Sequence, residues 1–299
     1  MESKEETNGL CGYFGKDDFG VLMPFDENKI NALYDKLRGV IMDTGGSTAG
    51  FAPTFGVAMV EKGLSLMDAF DRATIASSKA KEDMTKRICV YTSEMQFMAQ
   101  KESRILSEYM EAFKNDEITF FLQPQCRISS GKIVGVEALA RWVKKDGTVV
   151  SPGLFVPVLE KYGFIPDLDV HIWNKACESL RYWIDQGHTP VPVSLNVARA
   201  DLFALDVAKV FVDLADKYNL PHNLIKVEIT ESSYVEATER VEKLVKKLHE
   251  SGFIILMDDF GSGYSSLNML SSVEIDAIKL DMHFLHFEGK DYEKAVHVL

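Results

Sequence analysis

Five short apolar runs in the second half of the chain, VGVEAL, VSLNV, KVEITE, LMDDFGSG and AIKLD, each carry an oxygen ligand or a charge where a strand should end. They place Glu137, Asn196, Glu228, Asp258, Asp259 and Lys279 at one rim, with steps of 59, 32, 30 and 21 residues from Glu137 to Asn196, Glu228, Asp258 and Lys279. Such steps suit repeating strand-plus-helix units, whose strands run parallel and whose C-terminal ends converge on a common site. The expected fold class is therefore α/β, a TIM-like (β/α)8 barrel.

The segments between these runs fit that plan. FFLQP and IVGVEALARW read as two paired strands around the turn RISSGK. GLFVPVLEKYG and VHIWNKACESLRYWIDQG read as helices, and VPVSLNV as a strand followed by the helix AKVFVDLADKYN. KVEITE, the helix TERVEKLVKKLHESG, FIILMDDF and AIKLD continue the alternation. Trp142, Trp173 and Trp183 read as core, His171 and His222 as ordinary helix and loop residues, and the KLVKKLHE run as a solvated face.

Residues 10–92 read as a smaller α+β unit. GYFGKDDFGVLMP forms a hairpin, helical patterns cover Asn28–Met42 and Ser65–Ala80, and PTFGVAMV and RICVY supply strands. TGGSTAG at 44–50 is a loop by composition. Residues 93–116 carry Met98, Ile105, Leu106, Tyr109, Met110 and Phe113 at helical spacing, with Ser93 as the expected N-cap. The expected domains are 1–92, a linker helix 93–116, and 117–299.

Composition narrows the function classes. A chain 46% hydrophobic and 26% charged is that of an ordinary globular protein. No stretch approaches the roughly 18 apolar residues of a spanning helix, and MESKEETN is too polar for a signal peptide, so a cytoplasmic location is expected. A net charge of −12 argues against a long nucleic-acid partner. A small anionic nucleotide stays open, because bound cations invert the local sign. Cys11, Cys89, Cys126 and Cys177 lack CxxC spacing and are expected reduced and buried, without zinc or disulfides.

Carboxylates plus an amide oxygen, with no histidine at matching strand ends, make a hard oxygen site suited to Mg²⁺ or Mn²⁺. Adjacent Asp258 and Asp259 repel unless cations lie between them, and metal pairs about 3.5–4 Å apart serve phosphodiester hydrolysis. The alternative for a lone Asp-Asp pair is a turn with two solvated acids. Gly261-Ser262-Gly263 then permits a tight loop over a ligand. Lys279 either faces such a site or pairs with a structural carboxylate such as Asp281. Glu231 is either a loop anchor or a surface strand-end acid, and Gln123 either a ligand contact or a polar cap on the first strand.

FFLQP at 120–124, EALAR at 137–141, EITES at 228–232, DDFGSG at 258–263 and IKLD at 278–281 occur in register across about 180 residues, and the region resembles the EAL-domain phosphodiesterases of bacterial signalling. The resemblance implies cyclic di-GMP as substrate, hydrolysed to linear pGpG. It also implies that Glu137, Asn196, Glu228 and Asp258 hold one metal, that Asp258 bridges to a second bound by Asp259, and that Lys279 orients or activates the attacking water. Arg141 resembles the arginine that grips a substrate phosphate, Gln123 a guanine contact, and Glu231 the anchor of the glycine-rich loop. The family allows a homodimer through the EAL domain.

The first unit resembles the C-terminal half of a GGDEF (diguanylate cyclase) domain, with Gly15-Lys16-Asp17-Asp18-Phe19 in place of the signature and the helix DRATIASSKAKE after it. The match is degenerate: Lys16 replaces a glycine, Asp18 shortens a glutamate, and the upstream metal-binding aspartate would lie before Met1. At the other end, about six barrel strands precede Leu299, and the late acidic motif and a later glutamine lack counterparts. The barrel is therefore expected to be incomplete in this chain. The two function classes are a metal-dependent cyclic di-GMP phosphodiesterase and a non-catalytic cyclic di-GMP receptor or interaction module.

Overall fold

The computed structural model describes residues 9–15, 17–43, 53–82, 85–261 and 273–281. Lys16, the TGGSTAG segment and Gly263 lie outside them. The chain divides into two compact units, Met1–Arg104 and Ile105–Leu299.

In the first unit, β1 (Leu10–Gly15) and β2 (Asp18–Leu22) form an antiparallel hairpin whose large side chains, Leu10, Tyr13 and Phe19 among them, are exposed. Phe14 is exposed as well and stacks on Phe70 with centroids 3.9 Å apart. Helix α1 (Glu27–Asp43) follows, then β3 (Phe55–Val57), α2 (Leu66–Glu82) and β4 (Ile88–Val90), with β3 and β4 parallel. The run PTFGVAMV thus forms a strand only at its centre. Helix α2 buries a stripe of small residues, Ala69, Ala76 and Ala80, which lets its backbone lie against β3. Gly56 sits at that contact, where an added Cβ would stand 1.8 Å from the Ala73 carbonyl oxygen and 2.4 Å from the Ser77 nitrogen.

Helix α3 (Ser93–Lys114) runs unbroken through the division between the units. Its cap is Thr92 rather than Ser93: the Met95 N–H donates to the Thr92 carbonyl at 3.1 Å and lies 3.4 Å from Thr92 Oγ1. Serine at the first helical position cannot serve as cap because its own backbone is already helical. The C-terminal half of α3 buries Tyr109 and Ala112 in a cluster with Ile118, Trp142, Phe155, Leu159, Ile165, Leu168 and Ile172.

The second unit begins with β5 (Ile118–Cys126) antiparallel to β6 (Ile133–Val143), with short β7 (Val149–Val150) on the far part of β6. Helices α4 (Pro152–Tyr162) and α5 (Ile165–Asp185) lead to β8 (Val193–Val197), α6 (Arg199–Ala204) and α7 (Val207–Lys217). Then come β9 (Ile225–Thr230), α8 (Glu231–Glu236), α9 (Thr238–Glu250), β10 (Ile254–Phe260) and β11 (Ala277–Leu280). The sheet order is β11-β10-β9-β8-β6-β5, parallel from β6 to β11, so the expected α/β alternation is present. Among the described residues β5 and β11 are not paired and the barrel is not closed.

Strand alternation separates core from site. Val193, Leu195 and Val197, then Ile225, Val227 and Ile229, and Ile255 and Met257 join Trp173, Leu180, Phe211, Val241 and Leu248 of the helices in one apolar layer. The intervening positions, Ser194, Asn196, Lys226, Glu228 and Asp258, are left for the opposite face. Trp142 and Trp173 are buried as expected, and Lys243, Lys246 and Lys247 of α9 are exposed. The cysteines differ from the expectation of burial: only Cys177 is buried, Cys89 is half-buried, and Cys11 and Cys126 stand exposed on β1 and β5.

Gly56→Ala should destabilise the first unit by about 2–3 kcal/mol, because the obstacles to its methyl group are backbone atoms that no rotamer change can move. Amide exchange should quicken across β3, α2 and β4 and stay unchanged across β8–β10; unaltered exchange in α2 would show that the helix can lift off the strand freely.

Candidate active site

The polar face of the sheet gathers charge from four strands onto one nitrogen. Lys279 Nζ, from β11, donates to Glu137 Oε2 of β6 at 2.9 Å, Glu228 Oε2 of β9 at 2.7 Å and Asp258 Oδ2 of β10 at 2.8 Å. The Glu228 side chain is fully buried, and Lys279 retains 30% of its side-chain exposure, so the cluster opens to solvent through the lysine. Asn196, near the end of β8, donates from Nδ2 to Glu137 Oε1 at 3.0 Å. Its backbone carbonyl accepts from Trp173 Nε1 at 3.0 Å, which ties the strand end to α5.

The ionisation pattern follows from this crowding. Burial alone would depress the Lys279 pKa, but hydrogen bonds to Asp258, Glu228 and Glu137 outweigh it and raise the net value. Burial raises the Glu228 carboxyl; the Lys279 bond opposes that and the nearby Glu137 charge reinforces it. The Lys279 ammonium thus bonds the three site carboxylates and holds them together.

Asp259 stands apart from the trio. It is exposed, has φ of 54°, and turns its backbone N–H onto Asp258 Oδ1 at 2.8 Å. Burial, then Asp258 and Asp281, raise its carboxyl pKa. Glu231 is the first residue of α8 and is only 2% exposed, so the surface alternative fails. Its Oε2 accepts the Gly261 N–H at 2.7 Å, joining β9 to the start of the loop after β10.

The remaining expected residues lie around the rim. Gln123 is exposed and sits directly across from Glu137 in the β5–β6 ladder. Arg141 donates from Nη1 to the Ala140 carbonyl at 2.8 Å and lies over the Phe121 ring, 5.6 Å from its centroid. Glu137 itself lies mid-strand rather than at the end of β6, because that strand continues to Val143 to pair with β7.

Sequence reasoning missed Gln125. Its Nε2 lies 3.4 Å from Glu228 Oε1 and 3.5 Å from Ser194 Oγ, supporting the carboxylate from beneath. The signal was its two-residue step from Gln123, which puts both glutamines on one strand face. Gly135 makes the room: an added Cβ there would come within 2.7 Å of Gln125 Oε1 and 3.1 Å of Lys226 Nζ.

The donor set fits a hard divalent cation. One carboxylate oxygen from each of Glu137, Glu228 and Asp258 lies within 4.8 Å of the others, an ammonium already stands at their focus, and among the described residues no sulfur or imidazole joins the group.

The EAL domain family model matches residues 106–298. The chain is 32% identical over 299 residues to the signaling protein YkoW of Bacillus subtilis (strain 168), covering 95% of this chain and 36% of that protein. It is 31% identical over 175 residues to the probable cyclic di-GMP phosphodiesterase PdeB of Escherichia coli (strain K12), covering 58% of this chain and 34% of that one. The chain thus spans about a third of the length of these relatives. Among solved structures, the PaMucR phosphodiesterase in complex with c-di-GMP superposes with a TM-score of 0.58 at 25% identity, over 65% of this chain and 78% of that one.

Lys279→Met should lower stability by about 3 kcal/mol at neutral pH, because three clustered carboxylates lose their only described cation. Burial and the Glu137 charge then raise the Glu228 carboxyl without the opposing lysine, so the missing stability returns as pH falls towards the ordinary carboxylate range and is lost as pH rises. Denaturant unfolding at pH 5 and 7.5 checks this; an equal loss at both would mean that the lysine contributes packing rather than charge.

Proposed function

The chain belongs to the EAL domain family, and on that premise we propose that it hydrolyses cyclic di-GMP to linear pGpG with the aid of divalent Mg²⁺ or Mn²⁺. The observation that carries the reading is the convergence of Glu137, Glu228 and Asp258 from three strands, with Asn196 bonded to the first. In this reading those four residues hold one ion and Asp258 with Asp259 a second. Bound ions of this kind supply Lewis acidity at phosphoryl oxygen and make water a stronger nucleophile at neutral pH.

The rest is the work of the chain's own side chains. Lys279 keeps a proton at Nζ and so favours ionised carboxylates around it, which is the state that can bind a cation. Arg141 presents a planar fork to a substrate phosphate, and its place over Phe121 leaves that fork partly desolvated. Gln123, exposed across from Glu137, would meet a guanine edge in this reading. Glu231 sets the direction in which the chain leaves β10 by fixing Gly261. The substrate is an intracellular nucleotide, so this reading locates the chain in the cytoplasm; no described helix is long and apolar enough to cross a membrane. Self-association through the EAL domain belongs to the same reading.

A second reading, a cyclic di-GMP receptor without turnover, is favoured by one feature: the Lys279 ammonium already occupies the focus of the three carboxylates and competes with a divalent ion for them. Residues 1–92 we read as a degenerate GGDEF half-domain that does not condense GTP, on the strength of Gly15-Lys16-Asp17-Asp18-Phe19 and of the helix at 71–82.

Incubation with cyclic di-GMP and Mg²⁺ or Mn²⁺ should yield pGpG, EDTA should stop it, and Ca²⁺ should bind without efficient turnover. Glu137→Ala and Asp258→Ala should each reduce turnover by at least about 100-fold while the protein stays folded. Turnover that persists in EDTA would sink the metal reading, and calorimetric binding without any pGpG would establish the receptor.

A further inference from the structure

Behind the site, on the helix side of β8, lies a second carboxyl pair. Asp201 of α6 is fully buried. Its Oδ2 accepts the Ala198 N–H at 2.7 Å, closing the turn that follows Asn196. Its Oδ1 is buried and receives no N–H or hydroxyl donor. The side chain next to Asp201, in hydrogen-bonding reach of its carboxyl, is that of Asp169 on α5.

Two ionised carboxylates cannot make that bond, since each only accepts. We propose that Asp169 and Asp201 share one proton, and that this proton is the latch that holds the β8–α6 turn, and with it the strand end carrying Asn196, against α5. Trp173 reaches the same strand end four residues along the helix, through its bond to the Asn196 carbonyl. The pair is a positioning device and touches none of the site carboxylates.

Among the described residues the nearest cation is Arg240, whose Nη1 donates to the Leu202 carbonyl beside Asp201 at 3.1 Å and not to the pair. From α3 the pair meets Tyr109, a buried phenol whose own pKa is raised by burial, then by Asp167 and Asp169. From α5 itself come Asp167, which is exposed, and His171, whose Nε2 is engaged with the Ile118 carbonyl. On α6, Arg199 is turned outward to Glu236. Burial pushes both carboxyls up, and the charge of Asp201 adds to it for Asp169, while the Ala198 N–H restrains the rise of Asp201. The proton therefore resides chiefly on Asp169, donated towards the Asp201 carboxylate.

The sign follows. A carboxyl whose folded pKa is raised contributes stability that is whole below the ordinary carboxylate range and drains away as pH climbs towards its raised value. Asp169→Asn replaces the acid by a permanent N–H donor of the same shape, so it should abolish that slope. We expect melting temperatures of wild type and Asp169→Asn to agree at pH 5 and to diverge with rising pH, the variant melting about 4 °C or more higher at pH 8.5. Protection of the Ala198 amide should fall with pH in the wild type and not in the variant. Parallel pH profiles of the two proteins would overturn the proposal. Infrared spectroscopy of the wild type alone offers a test that survives misfolding of the variant: a protonated carboxyl band must persist at pH 7.5, and its absence would also overturn the shared proton.

Discussion

Lys279 is the interaction on which the geometry of the second unit's polar face depends. Glu137, Glu228 and Asp258 arrive from three strands whose hydrogen-bond ladder fixes their separation, and three negative charges at that distance in a partly buried site repel by more than one surface ion pair can offset. A cation at their focus converts the repulsion into a cross-link between β6, β9, β10 and β11. The same arrangement explains why the site fits a divalent ion: a set of oxygens arranged around one positive charge is already oriented for another.

The sheet can hold so polar a cluster because its other face holds so little polarity. Every second residue of β8, β9 and β10 enters an apolar layer with α5, α7 and α9, and that burial, worth about 25 cal/mol per Å² of apolar surface, supports the strands irrespective of what the alternate residues do. Carboxylates on the opposite face therefore weaken the fold without deciding it. Trp173 bridges the two regimes, since its ring packs against Phe211 in the core while its N–H ends at the Asn196 carbonyl.

Much of this was legible before any coordinates. The five motifs, their strand-plus-helix spacing and the oxygen character of the ligands located Glu137, Asn196, Glu228, Asp258 and Lys279, and the structure brings all five together. What escaped were features that depend on partners distant in sequence. Glu231, named as the loop's anchor by resemblance, is on its own residue type indistinguishable from a surface acid; Gln125, missed altogether, is a glutamine in a strand until β9 brings Glu228 beside it. Asp169 and Asp201 lie 32 residues apart on two helices, and α6 is too short to announce itself by periodicity. The exposure of Cys11 and Cys126 was missed for the opposite reason, because it reflects which strand faces remain uncovered rather than anything in the cysteines.

The gap at Gly135 ties the history of three positions together. Gln125, Gly135 and Lys226 lie on β5, β6 and β9, and the first and third place their polar ends in the space a side chain on the second would need. A lineage that enlarged position 135 first would drive Gln125 from beneath Glu228, whereas one that shortened position 125 beforehand would leave room to fill. Substitutions at these sites are thus accessible in one order and blocked in the other, so descendants of this chain should keep the trio or exchange it as a set.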